Sequence, residues 1–182
     1  LQAQINPHFL YNTLDTIYWM SRMEEAFSTS NLIQALGNLF RFSISSDNKL
    51  VSLKEEINKG DFSRGGEASS KLKELLRKLG VNSDVIRRIT IVTYELEMNI
   101  VIHSDGGEIK VLINSEGIKV FAEDKGPGIK DIDKAFQPGY STASDEVREM
   151  GFGAGMGLNN VEHYSDELSV ESQVGKGTNI KA

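Results

Sequence analysis

Glycine occupies alternate positions in the stretch Gly151-Phe152-Gly153-Ala154-Gly155-Met156-Gly157-Leu158, which runs directly into a segment with helical character. Glycine lets backbone N–H groups approach an anion closely, and a helix start adds unpaired N–H donors and a positive dipole end. The pattern is typical of a phosphate cradle and equally typical of a flexible turn before a helix. Two upstream features favour the cradle: the glycine turn Asp124-Lys125-Gly126-Pro127-Gly128-Ile129, and the acid and amide of Glu95 and Asn99.

Composition narrows the class of protein. The 182 residues are 39% hydrophobic, which is enough for one large domain or two small ones. A net charge of −6 gives no electrostatic support for a nucleic-acid partner or for membrane contact by this fragment. The absence of cysteine excludes disulfides and thiolate metal sites and fits the cytoplasm. The chain begins at Leu1, so we expect part of a longer protein, either cytoplasmic or the cytoplasmic part of a membrane-bound receptor.

Residues 1–58 form the first predicted region. Apolar residues recur at helical spacing over residues 1–27, with an interruption at Asn6-Pro7, and again over residues 32–42 after a predicted turn at residues 28–31. Such a hairpin cannot bury its own apolar faces, so the pattern predicts a homodimer that completes a four-helix bundle. Residues 50–58 fit either a further short helix or an extended connector.

Residues 59–182 form the second predicted region, after a glycine-containing boundary at residues 59–66. Helices are predicted over residues 67–79 and 85–103, and strands over residues 108–114, 118–123, 167–173 and the last residues. The fold class is therefore α+β: a helical hairpin followed by an α/β sandwich with helices on one face of a mixed sheet.

Glu95 and Asn99 are four residues apart on one helix and therefore face the same way. An amide oxygen suits Mg²⁺, and a carboxylate can orient a nucleophile or accept its proton, as a nucleotide site requires. Glu97 is expected on the solvated surface. His103 follows one turn after Asn99, and capping the helix end is an equally good interpretation of it.

Asp124 lies where a strand ends at a glycine turn. Its carboxylate is suited to accept a hydrogen bond from an exocyclic amine such as adenine N6, although an aspartate is also common in such turns. Gly175-Lys176-Gly177-Thr178 does not fit a P-loop, because the lysine is not followed by serine or threonine. The histidines show no metal-ligand spacing.

The ordered set Glu95-x-x-x-Asn99, Asp124-x-Gly126-x-Gly128 and Gly153-x-Gly155-x-Gly157 resembles the motifs of the Bergerat-fold ATPases, the family of gyrase, Hsp90, histidine kinases and MutL. The resemblance covers about residues 61–182. It implies ATP with Mg²⁺ held through Asn99, Glu95 as the catalytic carboxylate, and residues 137–150 as a mobile lid. It further implies nucleotide-binding roles for Asn99, His103, Asp124, Gly126, Gly128, Ile129, Thr142, Gly153, Ala154, Gly155, Met156, Gly157, Leu158 and Thr178.

Two closer resemblances divide the chain. Residues 94–103, 139–143 and 151–158 are similar to anti-sigma-factor serine kinases. Residues 1–14, LQAQINPHFLYNTL, resemble the phosphoacceptor box of LytS/YesM-type sensor histidine kinases. The second resemblance implies that His8 is the phosphorylated residue, and an imidazole just after a proline kink can project from a bundle and attack a phosphate.

These resemblances lead to three hypotheses. The first is a histidine kinase core that phosphorylates His8 and passes the phosphate to a response regulator receiver domain. The second is an anti-sigma-type serine/threonine kinase, dimerised by its first region, whose partner is a sigma factor or an anti-sigma antagonist. The third is a nucleotide-dependent module that binds a sigma factor without catalysis. The connector between the regions sets whether the ATP site can reach His8.

Overall fold

The computed structural model describes residues 7–44, 51–114 and 116–182. The first described segment is a helical hairpin of α1 (Pro7–Met23) and α2 (Phe27–Ile44). The turn predicted at residues 28–31 is wrong, since these residues lie in α2. Glu25 instead breaks the helix, with a left-handed φ of 58°, and the Ser30 hydroxyl donates to the Phe27 carbonyl at 2.9 Å inside the new helix. The predicted interruption at Asn6-Pro7 falls at the edge of the described residues, because Asn6 lies outside them.

The two helices of the hairpin pack against each other and leave many apolar side chains exposed. The exposed fraction reaches 84% for Met23 and 72% for Leu32. Among the hairpin side chains that the structure describes, the other large apolar ones that are exposed are Ile17, Trp19, Met20, Phe27 and Leu36. The hairpin as described therefore does not bury its own apolar surface, as the sequence pattern predicts.

The rest of the chain is built on one five-stranded sheet with the spatial order β1-β2-β3-β5-β4. The strands are β1 (Val51–Ile57), β2 (Gly107–Asn114), β3 (Gly117–Asp124), β4 (Ser169–Gln173) and β5 (Gly177–Lys181). Every neighbouring pair is antiparallel, so the predicted mixed sheet is wrong. The long connection from β3 to β4 suggests parallel neighbours, but the β4–β5 hairpin folds back and places β5 between them.

Strand β1 replaces the predicted helix or connector over residues 50–58. It pairs with β2 along its whole length, from Val51 opposite Ile113 to Ile57 opposite Gly107. Its side chains alternate between the helix-covered face and solvent, and Ile57 is buried in the core. The two-region division stays a prediction, but this pairing moves the proposed start of the second region from residue 59 to about residue 51.

Three helices cover one face of the sheet. They are α3 (Glu67–Lys78), α4 (Ser83–His103) and α7 (Gly157–Tyr164), while the short helices α5 (Ile132–Ala135) and α6 (Asp145–Glu149) lie in the β3–β4 connection. Helix α4 packs against both other helices and against β1, β2 and β3. The core between the layers includes Leu72, Leu76, Leu96, Ile109, Val111, Val120 and Val161. The helical layer on one face of the sheet confirms the α+β sandwich.

The solvated position expected for Glu97 is also wrong. Glu97 is buried, with 2% of its surface exposed. Its carboxylate accepts hydrogen bonds from the backbone N–H groups of Ala68 (3.1 Å) and Ser69 (3.3 Å) in the first turn of α3. An anion at a helix N-terminus satisfies unpaired donors and complements the helix dipole, which explains why a carboxylate stays in the core.

Among the described residues, no helix combines the length and the hydropathy that a membrane crossing requires.

Candidate functional site

Helix α4 brings together the acid and amide on which the site prediction depends. It begins at an Asn82 cap, whose side chain accepts from the Asp84 N–H, and continues without interruption through Glu95 and Asn99 to His103. Both Glu95 and Asn99 face the first residue of α7. A Cβ built on Gly157 would lie 3.3 Å from Asn99 Oδ1 and 3.3 Å from Glu95 Oε2. The acid, the amide and the N-terminus of α7 therefore meet at one place.

Helix α7 also contacts this cluster through its side chains. Asn160 Nδ2 donates to Glu95 Oε1 at 2.6 Å. The preceding residue, Asn159, donates to the carbonyl of Phe136, the residue just before the predicted lid. The Asn159 Oδ1 is buried without a hydrogen-bond partner among the described residues. Consecutive amides of α7 thus bind the carboxylate on one side and the residue that precedes the lid on the other.

The glycine loop before α7 lies under the predicted lid. Gly153 and Gly155 adopt left-handed φ angles of 70° and 73°, which side chains other than glycine rarely adopt. The Gly139 N–H donates to the Gly155 carbonyl at 2.9 Å, and a Cβ on Gly153 would lie 2.5 Å from the Ala143 Cβ. Glycine is therefore needed at both positions for the loop to pass this close to the lid.

An open cavity of about 300 Å³ lies between the lid and the glycine loop, and its lining includes Gly139, Arg148, Gly153 and Ala154. Arg148 is the charged residue of the lining, and its guanidinium donates to the Ser141 carbonyl at 2.9 Å. Because a guanidinium pairs well with phosphate oxygens, Arg148 makes the cavity suitable for a phosphate. The sequence prediction missed Arg148, because charged residues are frequent in a polar segment and nothing distinguishes this one.

His103 contacts the lid rather than only capping α4. Its Nδ1 lies 3.2 Å from the Thr142 hydroxyl, so two predicted nucleotide-binding residues are joined. Burial lowers the pKa of His103 below its usual value, because the imidazolium is poorly solvated there. The ring is therefore mainly neutral at pH 7, and its Nδ1 either accepts a hydrogen bond from the Thr142 hydroxyl or, in the tautomer with the proton on Nδ1, donates one to it.

The second glycine turn lies against the C-terminal end of α4. A Cβ on Gly126 would lie 2.9 Å from the Ser104 Cα, so a larger residue would separate the turn from the helix. The Gly126 N–H donates to Asp124 Oδ1 at 2.8 Å. Burial raises the pKa of Asp124, while hydrogen bonds from Gly126 and Thr178 oppose this rise. A half-buried carboxylate with remaining acceptor capacity suits a base amine.

The end of this turn is attached to the β4–β5 hairpin. A Cβ on Gly128 would lie 2.3 Å from the Gln173 carbonyl oxygen, and the Ile129 N–H donates to the Ser172 hydroxyl at 2.7 Å. Ser172 also lies 3.0 Å from the Thr178 hydroxyl. Ser172 therefore links two predicted nucleotide-binding residues, Ile129 and Thr178, a role that its position in a strand does not reveal in the sequence.

The residues present fit ATP with Mg²⁺. Asn99 offers one amide oxygen, and no cluster of histidine and carboxylate ligands exists within residues 7–44, 51–114 and 116–182. A single protein ligand is compatible with Mg²⁺, which keeps several waters and binds phosphate oxygens. The space that a Cβ on Gly157 would fill, beside Asn99 and Glu95, is left open by glycine.

The structure does not test whether His8, the predicted phosphoacceptor, can reach this site. His8 is the second residue of α1, but its side chain lies outside the described residues. Asn160, by contrast, was not predicted as a site residue. The available signal was a pair of amides, Asn159 and Asn160, in a short helix that otherwise packs on the core.

Two protein families match two different parts of the chain, as the motifs do. Residues 84–182 match the family of histidine kinase-, DNA gyrase B- and HSP90-like ATPases. Residues 1–60 match the histidine kinase family.

Curated relatives follow the same division. Serine/threonine-protein kinase RsbT of Bacillus subtilis is 35% identical over 114 residues, which are 60% of this chain and 80% of RsbT. An anti-sigma F factor of Thermoanaerobacter is 36% identical over 99 residues, 54% of this chain and 62% of that protein. Sensor histidine kinase YesM of Bacillus subtilis is 46% identical over 58 residues, 32% of this chain but only 10% of YesM.

A solved structure of a SiaB–SiaC complex from Pseudomonas aeruginosa superposes with a TM-score of 0.51 at 15% identity, and it covers 82% of this chain and 98% of the matched chain. At this identity the likeness concerns the fold alone.

Proposed function

We propose that this chain, which belongs to the family of histidine kinase-, DNA gyrase B- and HSP90-like ATPases, catalyses the ATP-dependent phosphorylation of a protein. The observation that supports this most strongly is the meeting of Glu95 and Asn99 at the first residue of α7. A helix N-terminus favours phosphate, and an acid beside it is where a nucleophile must lose its proton.

The proposed step needs few groups. Glu95 takes the proton of an acceptor hydroxyl while the acceptor oxygen forms a bond to the γ-phosphorus, and the bond from that phosphorus to the β–γ bridging oxygen breaks to release ADP. Asn99 supplies a ligand oxygen for Mg²⁺, which when bound neutralises phosphate charge. Asp124 accepts from the adenine amine, and the backbone of residues 153–157 binds phosphate oxygens. The rate gain comes mainly from positioning and electrostatics.

A serine or threonine of a partner protein is the acceptor that the similarities favour. RsbT is named a serine/threonine-protein kinase and matches 60% of this chain, including the region with the nucleotide site. The similarity to anti-sigma F factors suggests a sigma factor or an anti-sigma antagonist as the partner.

A second candidate is autophosphorylation of His8 followed by transfer to a response regulator receiver domain. The specific observation in its favour is the histidine kinase match over residues 1–60, together with 46% identity to YesM across 58 residues. This candidate requires that the second region can bring its ATP to a His8 in its own chain or in a dimer partner. Its proposed setting is the cytoplasm.

One labelling experiment separates these candidates. The protein is incubated with γ-labelled ATP and Mg²⁺, alone and with candidate partner proteins, and the label is tested for acid lability. Acid-stable label on an added partner supports the serine/threonine kinase. Acid-labile label on the chain itself that is lost in His8→Ala supports the histidine kinase. Bound ATP without transfer to any protein would contradict both and leave the nucleotide-dependent sigma-factor-binding module.

A further inference from the structure

Helix α7 carries a side chain that holds the proposed catalytic acid. Asn160 Nδ2 donates to Glu95 Oε1 at 2.6 Å, a short distance for an amide donor. Among the described residues, Asn160 is the one hydrogen-bond partner recorded for the Glu95 carboxylate. The orientation of this acid therefore depends on a single contact from another helix.

The two oxygens of Glu95 have different surroundings. Oε1 is bound to Asn160, whereas Oε2 lies 3.3 Å from the position that a Cβ on Gly157 would occupy. Asn99 Oδ1 lies 3.3 Å from that same position. Oε2 is thus directed to the place where the amide and the N-terminus of α7 meet. It remains available to accept a proton while Oε1 is held.

Asn160 is itself held firmly. Its backbone N–H donates to the Met156 carbonyl at 2.9 Å, and the next residue, Val161, is fully buried in the core against α4. The helix that presents its N-terminus to the proposed phosphate site is therefore also the helix that orients the carboxylate. Their relative positions are fixed by one short rigid element.

We propose that Asn160 is a positioning residue for phosphoryl transfer: its side-chain amide holds Glu95 through Oε1 so that Oε2 faces the reacting atoms. This inference rests on the proposed kinase activity. An amide suits the task because it donates without adding charge. An aspartate in its place would repel the carboxylate, and a lysine or arginine would bind it as an ion pair and compete for the proton-accepting oxygen.

The test compares Asn160→Leu and Asn160→Asp, which are similar in volume but lack the donor, with Asn160→Gln, which keeps a donor one methylene further out. Loss of a hydrogen bond to a charged group corresponds to a fall in kcat of about 10- to 100-fold. KM for ATP should stay within about twofold, because the nucleotide contacts are retained. Asn160→Gln should recover part of kcat. Asn179→Leu, an exposed asparagine on β5, is the matched control and should keep wild-type kinetics.

An unchanged kcat in Asn160→Leu, or a rise in KM that accounts for the whole loss, would overturn the inference. Thermal unfolding of each variant shows whether an activity loss merely follows loss of the fold. A wild-type protein without any turnover would refute the proposed function instead.

A second measurement does not depend on turnover. In a ¹H–¹⁵N spectrum of the nucleotide-free protein, the side-chain amide signals of Asn160 are assigned by their loss in Asn160→Leu. They should shift clearly in Glu95→Ala, while the Asn179 amide signals stay in place. Asn160 signals that do not respond to Glu95→Ala would show that the contact is absent, whatever the activity.

Discussion

At the scale of single residues, the site depends on partly buried polar side chains that face one another. Asn99 is the clearest case, since its amide oxygen is the proposed protein ligand for Mg²⁺. Asn99→Ala is expected to lower Mg²⁺-dependent turnover by at least about 100-fold, because charge neutralisation and phosphate orientation are lost together. Turnover is measured over a Mg²⁺ titration, and Asn179→Ala serves as the control. Wild-type turnover in Asn99→Ala would refute the site assignment.

The charged form of the Asp124 carboxyl, which is proposed to bind adenine, lowers the stability of the folded protein. Its pKa is raised above 3.8, so this carboxyl contributes stability in its protonated form, below about pH 3.8, and loses it as pH rises through the raised pKa. At pH 7 the charged form is therefore unfavourable in the folded protein.

We accordingly expect Asp124→Asn to raise Tm at pH 7 slightly, by about 1–3 °C, while keeping an oxygen for the Gly126 N–H. ATP affinity should fall about 10-fold or more, because the amide is a weaker acceptor for the adenine amine. Differential scanning fluorimetry and calorimetric titration with ATP measure the two effects. ATP binding as tight as that of the wild type would exclude Asp124 as the adenine contact.

Glu97 stabilises the fold and has no proposed role in catalysis. Glu97→Ala leaves the N–H groups of Ala68 and Ser69 unpaired in the core, and the expected loss of unfolding free energy is about 2–4 kcal/mol. Urea unfolding measures it. Glu116→Ala, at an exposed position of the β2–β3 turn, is the control and should change stability by less than about 0.5 kcal/mol.

At the scale of elements, local signals predicted most of the second region. The cap at Asn82, the left-handed Gly80 and the β2–β3 turn mark their elements directly, and α3, α4, β2 and β3 form where the sequence predicts them. The hairpin turn at Glu25 was missed because neither glycine nor asparagine marks its positive φ. Strand β1 was missed although Val51, Leu53 and Ile57 alternate with polar residues, since a short run with glutamate at position 55 also fits a helix.

The exposed apolar surface of the helical hairpin allows a test of the predicted homodimer. Met23 and Leu32 are more exposed than large apolar side chains usually are, and burying each in a partner stabilises association by about 1.5–3 kcal/mol. We therefore expect Met23→Glu combined with Leu32→Glu to convert a dimer into a monomer. Sedimentation velocity over a concentration series measures this, with Gln34→Glu as a control on the same helix. A wild-type protein that is already monomeric at high concentration would contradict the dimer.

At the scale of the whole molecule, the order of strands was not predictable from local patterns. The antiparallel sheet arises because β5 pairs with β3 as well as with β4. The β4–β5 hairpin is local, but the local sequence does not encode the pairing of β5 with β3. The site motifs were recognisable one by one, but the link from Asn160 to Glu95 and that from Thr142 to His103 depend on how distant segments fold together.

The pairing of β1 with β2 leads to a prediction about where the second region begins. A protein of residues 51–182 retains β1, whereas one of residues 59–182 loses the strand that covers the β2 edge and buries Ile57. The shorter protein is expected to be less stable by about 3–5 kcal/mol, from lost apolar burial and unpaired β2 backbone groups. Chemical unfolding of both proteins measures the difference. Equal stability would show that β1 is dispensable.

The place of β5 also has a consequence for biosynthesis. This strand follows all the others in the chain, yet it lies inside the sheet between β3 and β4, and it carries Thr178 to the carboxylate of Asp124. A ribosome-bound chain can pair β1, β2 and β3 as they emerge, but β3 keeps an open edge until β5 leaves the exit tunnel. The nascent protein therefore completes the proposed adenine contact only after β5 has emerged, and we expect chains interrupted before residue 177 to bind chaperones and not ATP.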